Sequence, residues 1–256
     1  MPPPLFAVVT VVYNHCEGIE ETIQSVLNQT YPSIHYLIID GGSTDGTTEI
    51  IQRYTSRLHF WSSEPDGGIY DAMNKALERC SGDYVLFMNS GDRFYSNDTV
   101  QQLAGQSAGE DLLYGDTLLK TKDRLQLSKS KPCERIGYGM PFCHQSVAAH
   151  RRLFAHRRFD TRYRYAADFA FFVEASVAGK LSYRQLPVPV AIYDNTGFSM
   201  SLEAAKEQAD IIGRYYGWSV AALYQALRYR YYRFTAGVKR LLPARVLKTL
   251  LTIKNN

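Results

Sequence analysis

Leu5-Phe6-Ala7-Val8-Val9-Thr10-Val11-Val12-Tyr13-Asn14 is the stretch that decides the fold. It is a continuous β-branched run that stops at a polar residue, the pattern of a central parallel strand buried on both faces. Downstream, Glu17 to Asn28 carries Ile19, Ile23, Val26 and Leu27 at helical spacing, and His35 to Ile39 is a second strand closed by Asp40-Gly41-Gly42-Ser43. Thr44 to Tyr54 reads as a helix, Leu58 to Trp61 as a strand, Ile69 to Arg79 as a helix with Ile69, Met73, Ala76 and Leu77 on one side, and Tyr84 to Met88 as a fourth strand. Such alternation predicts an α/β fold with a mostly parallel, doubly wound sheet flanked by crossover helices.

Sheets of this kind bind ligands at the carboxyl ends of their strands. The polar clusters fall there: Tyr13-Asn14, Asp40 to Asp45, Glu64 to Gly68, and Asn89 to Asp92. Four loops are therefore expected to converge on one crevice.

The second half is less regular. Strands are expected at Leu112 to Leu119, at Pro141 to Ala148, and at Leu181 to Ile192, where Pro187 and Pro189 suggest a sheet edge. Ala166 to Ala178 reads as a helix. From Leu202 the chain is mostly helical, with breaks expected at Gly217, Gly237 and Pro243. Residues 1–200 are read as one domain and residues 201–256 as a basic amphipathic helical extension.

Of the 29 Lys and Arg residues in 256, nine follow Asp210, beyond which no acidic residue occurs. A mildly acidic body with a basic tail suggests that the tail meets an anionic surface. Cys16, Cys80, Cys133 and Cys143 form no CxxC pair, which fits reduced thiols in a cytosolic compartment. No stretch reaches the roughly 18 apolar residues that span a bilayer.

The runs Val8 to Asn14 and Ile38 to Thr47, then Ser63-Glu64-Pro65-Asp66-Gly67-Gly68-Ile69-Tyr70-Asp71-Ala72-Met73-Asn74-Lys75 and Leu86 to Asp92, resemble the nucleotide-binding half of inverting family 2 glycosyltransferases of the GT-A (Rossmann-like) fold. The Tyr-Asp-Ala-Met-Asn-Lys variant is similar to enzymes of exopolysaccharide clusters, including the colanic-acid type. The resemblance implies transfer of a sugar, with inversion, from a nucleotide-diphosphate sugar to a saccharide or lipid-diphosphate-linked acceptor. It also implies that the domain at 1–200 is catalytic, with a nucleotide-binding half at 1–95 and an acceptor half at 96–200. It is specific over the first 95 residues and weakens beyond them.

By that resemblance Thr10, Tyr13 and Asp40 serve the nucleoside, although Asp40 also reads as a turn aspartate bonding its own backbone. Asp45 reads equally as a helix cap. Asp66, Gly68, Asp71, Asn74 and Lys75 are expected on the donor. Glycines let a backbone approach a ligand, and the helix N-terminus after Gly68 favours anionic groups. Asp71 is alternatively a favourable first-turn acid.

Asn89-Ser90-Gly91-Asp92 stands at the family's acidic motif, where a carboxylate holds Mg²⁺ or Mn²⁺ against the diphosphate. Two of its usual acids are here Asn89 and Gly91, which leaves Asp92 as the expected metal ligand and puts metal dependence in question. Asp168 matches the late catalytic acid of the family and is the expected base for the acceptor hydroxyl, or else an N-cap. His144, in Cys143-His144-Gln145, is expected near the donor sugar or acceptor.

Val220, Leu223, Leu227, Tyr231, Phe234, Val238 and Leu241 recur at steps of three or four among Arg, Lys and Tyr. That is the composition of a helix lying in a membrane interface, and equally of one packed on the catalytic domain with a solvated basic face. The protein is thus expected to be cytoplasmic and peripheral on the inner face of the cell membrane. Nucleic acid is not an expected partner, since it would leave the four-loop crevice unexplained. A non-catalytic sugar-nucleotide-binding protein with a degraded metal site is the alternative to an enzyme.

Overall fold

A computed structural model describes residues 3–121, 124–194, 201–217 and 219–241. The first half runs β1 (Phe6–Val12), α1 (Cys16–Leu27), β2 (Ile34–Asp40), α2 (Thr47–Gln52), β3 (Phe60–Ser63), α3 (Ile69–Arg79) and β4 (Tyr84–Phe87). The second continues with β5 (Arg93–Phe94), α4 (Thr99–Gln106), β6 (Leu112–Lys120), β7 (Leu125–Ser128), β8 (Val147–His150), α5 (Ala167–Ala178) and β9 (Tyr183–Asp194). It closes with α6 (Leu202–Tyr216) and α7 (Val220–Leu241).

All nine strands join one sheet in the order β3-β2-β1-β4-β8-β6-β9-β5, with β7 on the far part of β6. β1, β2, β3 and β4 run parallel, as the sequence pattern predicts. β8 enters antiparallel between β4 and β6 and couples the two halves into one continuous sheet, while β6 and β9 are again parallel.

β1 is buried along its whole length. Its alternate side chains feed two cores: Ala7, Val9 and Val11 meet α3 and α5 on one face, while Phe6, Val8 and Val12 meet α1 and α4 on the other. Ile19, Ile23 and Val26 turn inward from α1 at the expected spacing. Each such fully buried aliphatic side chain contributes about 1.5–3 kcal/mol, so the first half is fixed by apolar pattern alone.

Four features of the second half differ from the sequence-based expectation. The strand expected at Pro141 to Ala148 starts only at Val147, after a short 3-10 turn at His144–Ser146. The prolines of β9 do not sit on an outermost strand. They sit where its register with β6 slips, between Tyr114 and Thr117, while β5 covers its other side only at Ala191 and Ile192. Gly115 permits this bulge, since a Cβ there would stand 2.4 Å from the Val188 carbonyl oxygen. α4 has too short an apolar period to announce itself in sequence. Finally, α7 runs through Gly237 without a break, because one glycine costs a helix only about 1 kcal/mol; Pro243 lies outside the described residues.

The chain turns at Gly217 as expected. α6 buries Ile211 and Ile212 in the same core as α5, so the helical extension begins as part of the catalytic body.

Candidate active site

The four strand exits are stitched into one rim. Asn14 adopts φ +46°, unusual for a non-glycine residue and tolerated by asparagine. In that conformation its amide donates to Ser43 Oγ at 2.7 Å, and its side-chain oxygen accepts from the Thr44 amide at 2.8 Å. His15 joins the fourth exit through Nδ1 and Ser90 Oγ, 2.9 Å apart, and packs where a Cβ on Gly91 would stand 2.8 Å from its ring. The third exit is held to the second by the Glu64 amide donating to the Asp40 carbonyl at 3.0 Å. His15 was not anticipated. A histidine after a strand exit carries no sequence signal for a partner 75 residues away.

Within this rim, two kinds of carboxylate occur. Asp40 is fully buried. One of its oxygens accepts from the Gly42 and Ser43 amides (3.2 and 2.9 Å) and the Ser63 hydroxyl (2.6 Å), and the other accepts the Ser43 hydroxyl at 2.5 Å. The turn reading of Asp40 therefore replaces the nucleoside-contact reading. Asp45 is likewise a cap: it accepts from the Thr47 hydroxyl and amide and from the Cys16 amide, at the starts of α2 and α1. The Thr47 hydroxyl, then the Cys16 amide, hold its carboxyl well below the usual range.

Asp66 is half-buried and Tyr13 is exposed. Asp66 Oδ1 accepts the Gly68 amide at 2.8 Å, while Oδ2 lies over Gly41, where a Cβ would come within 2.8 Å of it and 3.3 Å of the Tyr13 ring. Gly41 is thus the floor on which an aromatic ring and a carboxylate oxygen meet, and Tyr13 is 65% exposed. Gly68 takes φ +111° with open space beside it, so its requirement is conformational. Asp71 accepts the Gly67 amide at 2.9 Å. Lys75 ties the loop to α3 through Glu64 and the Pro65 carbonyl, both at 3.1 Å.

One further expectation is corrected and two residues are placed. Thr10 is sealed in the core, its hydroxyl donating to the Met88 carbonyl at 2.8 Å and lying 2.9 Å from the Tyr36 hydroxyl, so no ligand reaches it. The half-buried Asn74 amide bonds the backbone of Phe159, donating to its carbonyl at 2.8 Å and accepting from its amide at 2.9 Å. Asn74 thereby clamps the segment before α5 to α3. His144 is buried among the rings of Phe87, Phe159 and Phe172, beside Asp168.

Asp168 occupies the first turn of α5 with its side chain 21% exposed. It is not the cap. No side chain caps α5 at Ala166, and Glu207, reaching from α6, accepts the amides of Arg164, Tyr165 and Ala166 at 2.8–2.9 Å, which holds the segment that leads into the helix. Asp168 is instead met by the Tyr70 hydroxyl at Oδ1, 2.9 Å, with His144 Nδ1 3.7 Å from Oδ2. Burial pushes the His144 imidazole below its ordinary pKa, and the Asp168 charge only partly offsets this. Beside Cys143, a cavity of about 190 Å³ is lined by Thr117, Ser128, Lys129, Lys131 and Phe142.

The residues at the acidic motif do not compose a metal cage. Asp92 is 4% exposed and turned inward, where its Oδ1 accepts the Asp194 amide at 2.9 Å. Burial pushes its carboxyl up to about 7. Asn89 Oδ1 is buried without a hydrogen-bond partner, and among the described residues no group of three or more His, Cys, Asp or Glu could hold an ion.

Loops gathered at the carboxyl edge of a parallel half-sheet, with an acid of the second half bonded to the helix that follows one of them, are the arrangement of a ligand-binding α/β fold. The chain belongs to glycosyl transferase family 2, whose sequence profile matches residues 7–173. A PGL/p-HBAD biosynthesis glycosyltransferase of Mycobacterium bovis is 28% identical over 204 residues, covering 77% of this chain and 79% of the relative. Among solved structures, S. aureus TarS 1-349 in complex with UDP superposes with TM-score 0.66 at 21% identity, over 82% of this chain and 64% of that one. The mannosyltransferase PcManGT from Pyrobaculum calidifontis, in complex with GDP-Man and Mn²⁺, gives 0.68 at 18% identity over 98% and 80%. These likenesses establish the GT-A fold.

Proposed function

We propose that this glycosyltransferase moves a hexose, with inversion, from a nucleoside-diphosphate sugar to a saccharide acceptor carried on a lipid in bacterial surface-glycan or glycolipid assembly. The relative's role in PGL/p-HBAD biosynthesis and the UDP and GDP-Man complexes of the structural neighbours support that direction. The Tyr13 ring stacks on the base, and an Asp66 oxygen accepts a hydrogen bond from the nucleoside. The Gly67-Gly68 turn and the start of α3 face the diphosphate, where helix amides favour negative charge. Asp71 and Lys75 keep that turn in shape.

In the reaction the acceptor oxygen bonds to the anomeric carbon as its bond to the phosphate oxygen breaks. The diphosphate leaves with the electron pair, and Asp168 takes the acceptor proton. No step is assigned to a metal, since the donor set around Asp92 does not fit one. The observation that carries the reading is Asp168 itself: a part-exposed carboxylate that makes no cap bond and is held by Tyr70 from the helix that follows the Gly67-Gly68 turn.

Asp168→Asn is expected to lower transfer by about 10²–10⁴-fold while leaving the thermal shift given by UDP-, GDP- or dTDP-hexose intact. Near-normal turnover in that variant sinks the assignment, and no turnover by the unaltered chain with any donor favours the binding-module alternative.

α7 supports attachment to the anionic inner face of the membrane. Ala221 and Gln225 face the body, whereas Val220, Leu223, Leu227, Tyr231 and Phe234 stand exposed on the predicted stripe, beside Arg230 and Arg233. Leu223→Ser with Leu227→Ser and Phe234→Ser should shift the protein from pellet to supernatant with anionic vesicles. Unchanged sedimentation rejects the membrane role.

A further inference from the structure

Tyr70 stands two residues after the Gly67-Gly68 turn, on the first turn of α3, and its ring packs 5.8 Å from that of Phe159. Its hydroxyl crosses 98 residues of sequence to reach Asp168 Oδ1 at 2.9 Å. The other carboxylate oxygen faces His144, which is enclosed by three phenylalanine rings. A carboxylate at the exposed end of such a wall has freedom about its last torsion unless a donor holds it.

We infer that Tyr70 is the positioning residue that aims the Asp168 carboxylate at the acceptor hydroxyl, so that one helical turn fixes both the donor turn and the base. This rests on Asp168 being the base. Tyr70 is suited to the part because it remains a donor. Burial first, and then the Asp168 charge, push its phenol well above the ordinary tyrosine range, so the proton stays on the tyrosine. The ring is fixed by packing against Phe159. Asn74 contributes from the same helix by clamping the Phe159 backbone against which Tyr70 lies. The spacing Tyr70-x-x-x-Asn74 therefore joins α3 to the segment entering α5 at two points, one acting on the base and one on its approach.

Tyr70→Phe keeps the ring and removes only the hydroxyl. The test follows release of nucleoside diphosphate by the full chain from the UDP-, GDP- or dTDP-hexose that stabilises it most, in wild type, Tyr70→Phe, Asp168→Asn and the double variant. Misaiming a reacting group by about 1 Å costs on the order of 10²-fold. Tyr70→Phe is accordingly expected to lower kcat by about 10- to 100-fold with donor KM unchanged, in protein that is still folded at the assay temperature. It should have no further effect in the Asp168→Asn background, since the two side chains act as one unit. A multiplicative loss in the double variant, wild-type turnover in Tyr70→Phe, or a loss that follows donor KM or the unfolded fraction overturns the role of Tyr70 and leaves that of Asp168 standing. Full turnover in Asp168→Asn ends both.

Discussion

The carboxylates of the β2 exit and the carboxylate at the head of α5 are built in opposite ways. Asp40 and Asp45 are surrounded by amides and hydroxyls from their own loop and its neighbours, so their lone pairs are occupied before any ligand arrives. Asp168 has one hydroxyl donor, an aromatic-walled histidine beside it, and no cap bond to its own helix. In this molecule an acid in a strand-exit motif is scaffold when its turn satisfies it, and an acid met only by a distant hydroxyl is left for chemistry.

That contrast can be broken in several places. The largest stability effect is expected at Asp40→Ala, which strands two amides and two hydroxyls. With hydrogen bonds to a charged group contributing about 1.5–3 kcal/mol each, a loss of about 3 kcal/mol or more is expected in denaturant unfolding. Donor affinity per folded molecule should fall far less; the reverse order would restore Asp40 to the nucleoside. Tyr13→Ala should do the opposite. Stacking of a base on an aromatic ring contributes about 1–3 kcal/mol, so calorimetry should show donor affinity weakened by roughly tenfold or more, with the melting temperature unmoved because the ring is exposed. The smallest effect belongs to Thr10→Val. Loss of its buried hydroxyl bonds should cost about 1 kcal/mol of stability, and unchanged donor affinity would mark Thr10 as core.

Legibility in the sequence follows the same division. β1, α1, β2, α3 and β4 could be read because each buries one face or two in a strict period, and the four polar exits then had to share an edge. Asp40 and Thr10 were misread for a common reason: an Asp at a strand exit or a Thr within a strand is compatible with a ligand or with a partner inside the protein, and only the partner's position in space distinguishes them. The slip at Pro187 and Pro189 depends on Gly115, more than 70 residues away, which local pattern does not register.

By itself the sequence determined the alternation of strand and helix, the edge on which the loops gather, the family motifs and the asymmetric charge of the last helices. All of these are properties of neighbours along the chain, set by side-chain period and turn chemistry. Only the tertiary structure decided which acids are satisfied and which are available. Glu207 holds the segment that leads into α5, Tyr70 meets Asp168, Asn74 clamps Phe159 and the Asp194 amide engages Asp92, and these contacts bridge 41 to 102 residues. A hydrogen bond acts over about 3 Å, a distance that spacing along a chain does not encode.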